Sequence, residues 1–207
     1  MKIFLTGANG QLGRALQRKL AGTELLATDV TELDITDAAA VFEVIGDYRP
    51  DVVIHGAAWT QVDAAETKVD LAWSVNALGA QNIALACRQV QAAMVYISTD
   101  YVFDGKLGRA YTEFDAVNPL SEYGQSKYAG EVLARQATDR LYILLTAWLY
   151  GEGPNFVRTM LKLAQEHDEI KVVDDQYGCP TNAADLAEAV LRLISTGRYG
   201  TYHAVNS

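Results

Sequence analysis

The run Lys2-Ile3-Phe4-Leu5-Thr6-Gly7-Ala8-Asn9-Gly10-Gln11-Leu12-Gly13 passes from an apolar, strand-like segment into a helical one through three glycines spaced GxxGxxG. Strand, tight glycine turn and helix in this order open a dinucleotide-binding βαβ unit. Glycine allows the positive φ of such a turn and lets the backbone approach a pyrophosphate. A helix starting near Gln11 would aim its unpaired N–H groups at that phosphate. A glycine triplet alone also fits an ordinary strand-to-helix turn. Here an acid, Asp29, ends the next apolar run (Glu24 to Ala27) at the offset where an adenosine ribose would be met. Gly7, Gly10, Gln11, Leu12, Gly13 and Asp29 are therefore the expected cofactor-binding set. Asp29 favours NAD, whereas Arg14, just after the third glycine, could meet the 2′-phosphate of NADP. The choice between NADH and NADPH stays open at this point. Asp34 and Ile35 lie on the following loop, where an adenine ring would rest. Ala57 and Ala58 follow the third apolar run, and their small side chains would let the cofactor lie along the sheet's carboxyl edge.

Outward from this loop the pattern repeats. Short apolar runs at Lys2 to Thr6, Glu24 to Ala27, Val52 to His55, Met94 to Ser98 and Tyr142 to Thr146 read as buried strands. Helical periodicity fills Gln11 to Ala21, Thr36 to Gly46, Leu71 to Val90 and Gly124 to Ala137, with Asp34 and Thr36 as candidate caps for the second helix. The expected fold is α/β: a Rossmann-like, doubly wound parallel sheet with helices on both faces. Residues 1–150 form the dinucleotide-binding domain in this reading. Residues 151–207 begin a small, incomplete substrate region, with a helix at Asn155 to Gln165, a strand at Ile170 to Val173 and a helix at Asn182 to Ile194.

The 207 residues are ample for a core, and half of them are hydrophobic, which excludes a disordered chain. Lys and Arg number 17 against 26 Asp and Glu, a net charge of -9, so a nucleic-acid partner is not expected. The longest apolar runs, such as Leu141 to Leu145, are too short to span a bilayer. Cys87 and Cys179 are far apart, with no histidine at ligand spacing, so neither a disulfide framework nor a metal site is expected. The N-terminal apolar stretch is shorter than a signal-peptide core, and a cytoplasmic location follows as the expectation.

Tyr123-Gly124-Gln125-Ser126-Lys127 carries the chemistry. Residues i and i+4 of a helix share a face, so Tyr123 and Lys127 would stand side by side. A neighbouring ammonium stabilises phenolate and would lower the tyrosine pKa toward working pH. Such a phenol can protonate an alkoxide as hydride reaches a carbonyl. Ser98-Thr99-Asp100 ends the fourth strand and brings a hydroxyl to the same sheet edge. Hydroxyl, tyrosine and lysine in this order behind a glycine loop describe a carbonyl reductase or alcohol dehydrogenase.

These motifs resemble the extended short-chain dehydrogenase/reductase superfamily and, within it, the dTDP-4-dehydrorhamnose reductase family. The more specific strings are Val62-Asp63-Ala64-Ala65-Glu66, Ser98-Thr99-Asp100-Tyr101-Val102-Phe103 and Asp175-Gln176-Tyr177-Gly178-Cys179-Pro180-Thr181. The resemblance implies reduction of the C4 keto group of dTDP-4-dehydro-L-rhamnose by NADPH or NADH, within dTDP-rhamnose and cell-surface polysaccharide biosynthesis. It implies that Thr99 holds the keto oxygen, Tyr123 donates the proton, and Lys127 tunes Tyr123 and binds the nicotinamide ribose. Asp100 and Trp148 would contact the sugar, and Ala58 with Thr60 would line the cofactor. Some members carry magnesium at a subunit contact, but Ala15 stands where an acid would be needed, so magnesium is not carried over.

Two departures from the family pattern set further expectations. Leu145 replaces a usual arginine, which implies a local packing difference. Members of the family continue past the point matching Ser207, which implies an incomplete sugar pocket, weakened substrate binding and an apolar face that favours association, most simply a homodimer. Two other functions fit parts of the pattern. One is a non-catalytic, cofactor-binding subunit resembling the regulatory subunit of methionine adenosyltransferase. The other is a nucleotide-sugar epimerase or dehydratase, which would regenerate its NAD rather than consume reduced cofactor.

Overall fold

The N-terminal apolar run becomes β1 (Lys2–Thr6) in this computed structural model, which describes residues 1–206. It feeds α1 (Gln11–Lys19), β2 (Glu24–Thr28), α2 (Ala38–Tyr48) and β3 (Val52–His55). Two short helices follow, α3 (Val62–Ala65) and α4 (Val69–Trp73), then α5 (Ala80–Val90) and β4 (Ala93–Thr99). The longest helix, α6 (Glu122–Ala137), leads into β5 (Leu141–Thr146). The remainder comprises β6 (Leu149–Tyr150), α7 (Phe156–Glu166), β7 (Thr181–Asn182), α8 (Ala183–Ile194) and β8 (Gly200–His203).

Six parallel strands form one sheet in the order β2-β1-β3-β4-β5-β8. Strands buried on both faces need side chains that are apolar throughout, which is why β3 reads Val-Val-Ile-His and β5 reads Leu-Tyr-Ile-Leu-Leu-Thr. One face carries α2, α5 and α6 over a core that includes Phe4, Ile45, Ile83, Met94 and Ile143. The other carries α1 and α8 over Ile3, Leu5, Leu16, Ile54 and Val190. This is the doubly wound α/β fold expected from the sequence. Strand order reverses between β1 and β3, and open sheets of this kind bind ligands at such a switch point.

Several local expectations are corrected. The single helix expected from Leu71 to Val90 is interrupted by a π-helical turn at Ser74–Gly79, because the Asn76 side chain is drawn inward to bond the loop after β3. α2 starts later than expected and is capped by Asp37, which accepts from the Ala40 N–H at 3.1 Å. Asp34 instead accepts from the N–H and hydroxyl of Thr36 at 2.9 and 2.8 Å, closing a turn ahead of the helix. No strand forms at Ile170 to Val173; residues 167 to 180 are neither helix nor strand, and Val172 and Val173 are exposed. β6 pairs instead with β7 in a separate two-stranded sheet. β8, which the sequence reading did not anticipate, adds to the main sheet beside β5.

Candidate active site

The glycine loop fits a pyrophosphate on two independent grounds. Gly7 has φ +73°, and a Cβ there would lie 2.7 Å from the Ala57 nitrogen. A Cβ on Gly13 would lie 2.2 Å from the Gly7 carbonyl oxygen. Only hydrogen is tolerated at both positions, so the loop is folded tightly under α1. In addition, α1 has no side-chain cap, and its first backbone bond runs from Arg14 N–H to Gly10 O. The N–H groups of Gln11, Leu12 and Gly13 thus have no intrahelical acceptor and are free for an anion. Leu12 is buried, and the Gln11 side chain donates to Leu149 O at 3.3 Å, tying the loop to β6.

Asp29 is occupied locally. One carboxylate oxygen accepts from the Asn9 N–H and the other from the Val30 N–H, at 2.8 and 2.9 Å. This places the acid against the glycine loop at the end of β2. Arg14 donates through Nε to Asn9 O at 2.9 Å, and both Arg14 and Arg18 pair with Glu152. Ala57 and Ala58 are half-buried on the loop after β3, and Thr60 is exposed beyond them. The Ala57 N–H donates to the Thr6 hydroxyl at 3.3 Å, and Thr6 is in turn 2.8 Å from His55 Nδ1. Ile35 is a core side chain packed with Val41 and Ile83, while Asp34 stays on the loop above it.

Thr99 ends β4, and its hydroxyl donates to Asp100 at 3.1 Å while accepting the Tyr101 N–H at 3.2 Å. Ser121 caps α6 by accepting the Gly124 N–H at 3.1 Å, which sets the first turn carrying Tyr123. Lys127, one turn on, is 3% exposed. Its ammonium donates to Ile97 O at 2.7 Å and stands 4.2 Å from the Tyr96 ring centre. Thr99, Asp100 and Tyr123 are thus neighbours at the carboxyl end of β4, and the Lys127 ammonium is held on the β4 backbone two residues earlier.

The expected acidic tyrosine is corrected here. Burial pushes the Tyr123 phenol up to about 12; the Thr99 hydroxyl opposes this, and the neighbouring Asp100 and Tyr101 add to it. Burial also lowers Lys127 to about 7 against the upward pull of Glu131. Desolvation outweighs pairwise attraction for both groups. A protonated phenol at neutral pH is the form a proton donor requires.

Trp148 follows β5 with φ +45°, a conformation rare for a bulky side chain, and its indole is 42% exposed. The Thr181 N–H donates to its carbonyl at 3.2 Å. Gly178 lies flat on the ring, since a Cβ there would be 3.2 Å from the indole. Trp148 therefore projects an aromatic face beyond the sheet edge rather than filling the core.

Residues 1–207 match the RmlD substrate binding domain family. The chain belongs to this family. A dTDP-4-dehydrorhamnose reductase from Aggregatibacter actinomycetemcomitans is 43% identical over 98% of this chain and 72% of its own length. The spore coat polysaccharide biosynthesis protein SpsK of Bacillus subtilis is 46% identical over 100% of this chain and 74% of its own. Among solved structures, a dTDP-4-dehydrorhamnose reductase from Clostridium acetobutylicum superposes with a TM-score of 0.98 at 50% identity, covering 100% of this chain and 75% of that one. The Bacillus anthracis reductase, solved in complex with NADP, gives 0.95 at 48% identity, with 100% and 76% covered.

Within this RmlD family member, sequence reasoning passed over a set of buried supports. Asn76 accepts the Trp59 N–H at 2.8 Å and donates to Trp59 O and to the Ser126 hydroxyl at 3.1 Å each. Tyr96 donates from its hydroxyl to Lys127 O at 3.1 Å. Glu131 accepts from the Ser98 hydroxyl at 2.5 Å. The interruption of helical periodicity near Asn76 and the continued four-residue spacing after Lys127 were the available signals. Leu145, where the family pattern suggested an arginine, packs with Val102, Phe103 and Tyr128. Among the described residues, no cluster of three His, Cys, Asp or Glu side chains could hold a metal, and no helix is long and apolar enough to cross a membrane.

Proposed function

We propose that this chain reduces the C4 keto group of dTDP-4-dehydro-L-rhamnose to the alcohol of dTDP-L-rhamnose, consuming NADPH or NADH. The observation that carries this reading is the gathering of Thr99, Tyr123 and Lys127 beside an uncapped, glycine-cradled helix N-terminus, in a chain of the RmlD family. When bound, the reduced nicotinamide supplies the hydride. Gly7, Gly10 and Gly13, with the Gln11 and Leu12 N–H groups, hold the pyrophosphate. Asp29 and Asp34 border the adenosine end, and Ala57, Ala58 and Thr60 line the path toward the nicotinamide. Ile35 supports the adenine end from the core.

The Thr99 hydroxyl holds the keto oxygen, so negative charge developing there meets a donor. Tyr123 gives its phenolic proton to that oxygen as the C4–H bond forms and the C=O π pair moves onto oxygen. The resulting phenolate is stabilised by Lys127 until solvent returns the proton. Asp100 and the projecting Trp148 indole bind the sugar, and residues 151–207 begin the substrate region, with α8 and β8 also packed on the main sheet. Cytoplasmic action and a homodimeric assembly belong to the same proposal.

The test supplies dTDP-4-dehydrorhamnose with each reduced cofactor and follows nicotinamide oxidation and the sugar product together. Stoichiometric oxidation with formation of dTDP-rhamnose is expected. Binding of cofactor without its consumption would sink the reductase reading in favour of a non-catalytic subunit, and product formed without net oxidation would favour an epimerase.

A further inference from the structure

We propose that Glu131 is a positioning residue for this reaction, the buried counter-charge that keeps Lys127 an ammonium beside Tyr123. Tyr123, Lys127, Glu131 and Arg135 recur every four residues along α6, so each is the neighbour of the next on the helix surface. Glu131 is only 2% exposed. A carboxylate so deeply buried is costly unless it is paired and hydrogen-bonded, and this one is held from two sides. The Ser98 hydroxyl of β4 donates to one oxygen at 2.5 Å. Arg135 sits 3.2 Å from the other and is itself anchored by donating to the Thr201 hydroxyl of β8 at 2.9 Å. An apolar side chain would fill the same space without that cost, so the charge itself is the feature that calls for a use.

The groups facing Lys127 leave one source of negative charge. From β4 come the Tyr96 ring and the Ile97 carbonyl. From β3 comes His55, held neutral by burial that lowers it to about 3. The π-turn contributes Asn76, a neutral amide whose polar atoms are engaged by Trp59 and Ser126. On α6 itself lie Tyr123 and Glu131. Burial works to strip the proton from Lys127, and Glu131 is the carboxylate that opposes it. Burial pushes the Glu131 carboxyl up from its ordinary range, and Ser98, Arg135 and Lys127 oppose that rise.

The test titrates Lys127 directly, by NMR of the chain carrying 13C at the lysine ε carbons, with the Lys127 resonance assigned by its loss in Lys127→Met. Glu131→Gln keeps the shape of the side chain and removes the charge. It is expected to move the Lys127 midpoint down by about one pH unit or more, as loss of a nearby opposite charge does. Glu131→Asp should return part of that shift. An unmoved midpoint in Glu131→Gln would overturn the proposal, since a packing role survives an isosteric amide. Should that variant fail to fold, Ser98→Ala decides by the same titration, with a smaller downward shift expected and none overturning the idea. The kinetic arm alone rests on the reductase reading: the basic limb of kcat/KM for dTDP-4-dehydrorhamnose should move down with the midpoint. A chain that turns over no keto sugar would defeat that reading while leaving the titration to decide on Glu131.

Discussion

Helix α6 follows β4 of the main sheet and α7 follows β6 of the small one, and the two helices are held very differently. α6 runs 16 residues and buries seven of them, including Lys127 and Glu131. α7 runs 11 residues and buries none, with Phe156, Val157 and Leu161 all at least half exposed. The proposed proton donor and its supporting charges therefore sit on the helix with the most tertiary constraint. The start of the proposed sugar-binding region sits on a helix held mainly by its own cap, where Asn155 accepts the Arg158 N–H at 3.0 Å. Proton transfer needs fixed geometry to a fraction of an ångström, whereas recognition of a large, polar ligand tolerates adjustment.

The comparison can be broken most forcefully at Tyr123. Replacing it with Phe removes one hydroxyl from the constrained helix, and turnover should fall by about 10²- to 10⁴-fold, the range for loss of a general acid. Cofactor affinity, read by nicotinamide fluorescence, should hardly change. Retention of turnover would mean that the proton comes from elsewhere. Next in size is the core under α6: Ile143→Ala should cost about 2–5 kcal/mol in denaturant unfolding, as for other buried Ile to Ala changes.

His55 sharpens the contrast through pH. Its folded-state pKa of about 3 lies below its usual value near 6.5, because it is buried. The unfolded chain takes up the proton first, so stability present above pH ~6.5 is lost as pH falls toward the folded value, by about 1.4 kcal/mol per pH unit. His55→Gln should flatten that slope between about pH 6 and 4. Parallel slopes in the two proteins would show that His55 carries no such linkage. The smallest effect is expected on α7, where Phe156→Ser should change unfolding free energy by no more than about 0.5 kcal/mol. A larger loss would mean that α7 is packed far more firmly than its exposure indicates.

The elements legible in the sequence were those written in contiguous residues. The glycine loop announces itself because three glycines, a strand and a helix start lie within Lys2 to Gly13, and the Tyr123–Lys127 pair because helical spacing alone places it. What escaped was set by partners distant in the chain. Ser98 meets Glu131 across 33 residues, and β8 joins β5 only after the whole of α8 has been laid down. The run Ile170 to Val173 has the composition of a strand but lies outside both sheets, with Val172 and Val173 exposed. The direction of the Tyr123 pKa is hidden for a related reason: the spacing displays the ammonium, but desolvation is visible only once the surrounding elements are in place.

A missing carbon governs how closely these parts sit together. A Cβ on Gly130 would fall 2.3 Å from the Asn76 carbonyl oxygen and 2.5 Å from the Tyr96 hydroxyl, so α6 rests directly on the π-turn and on β4. The seat of the helix is that bare backbone contact. Widening the contact by one methyl would tilt donor, ammonium and counter-charge in concert, degrading alignment while leaving every reactive group chemically unaltered.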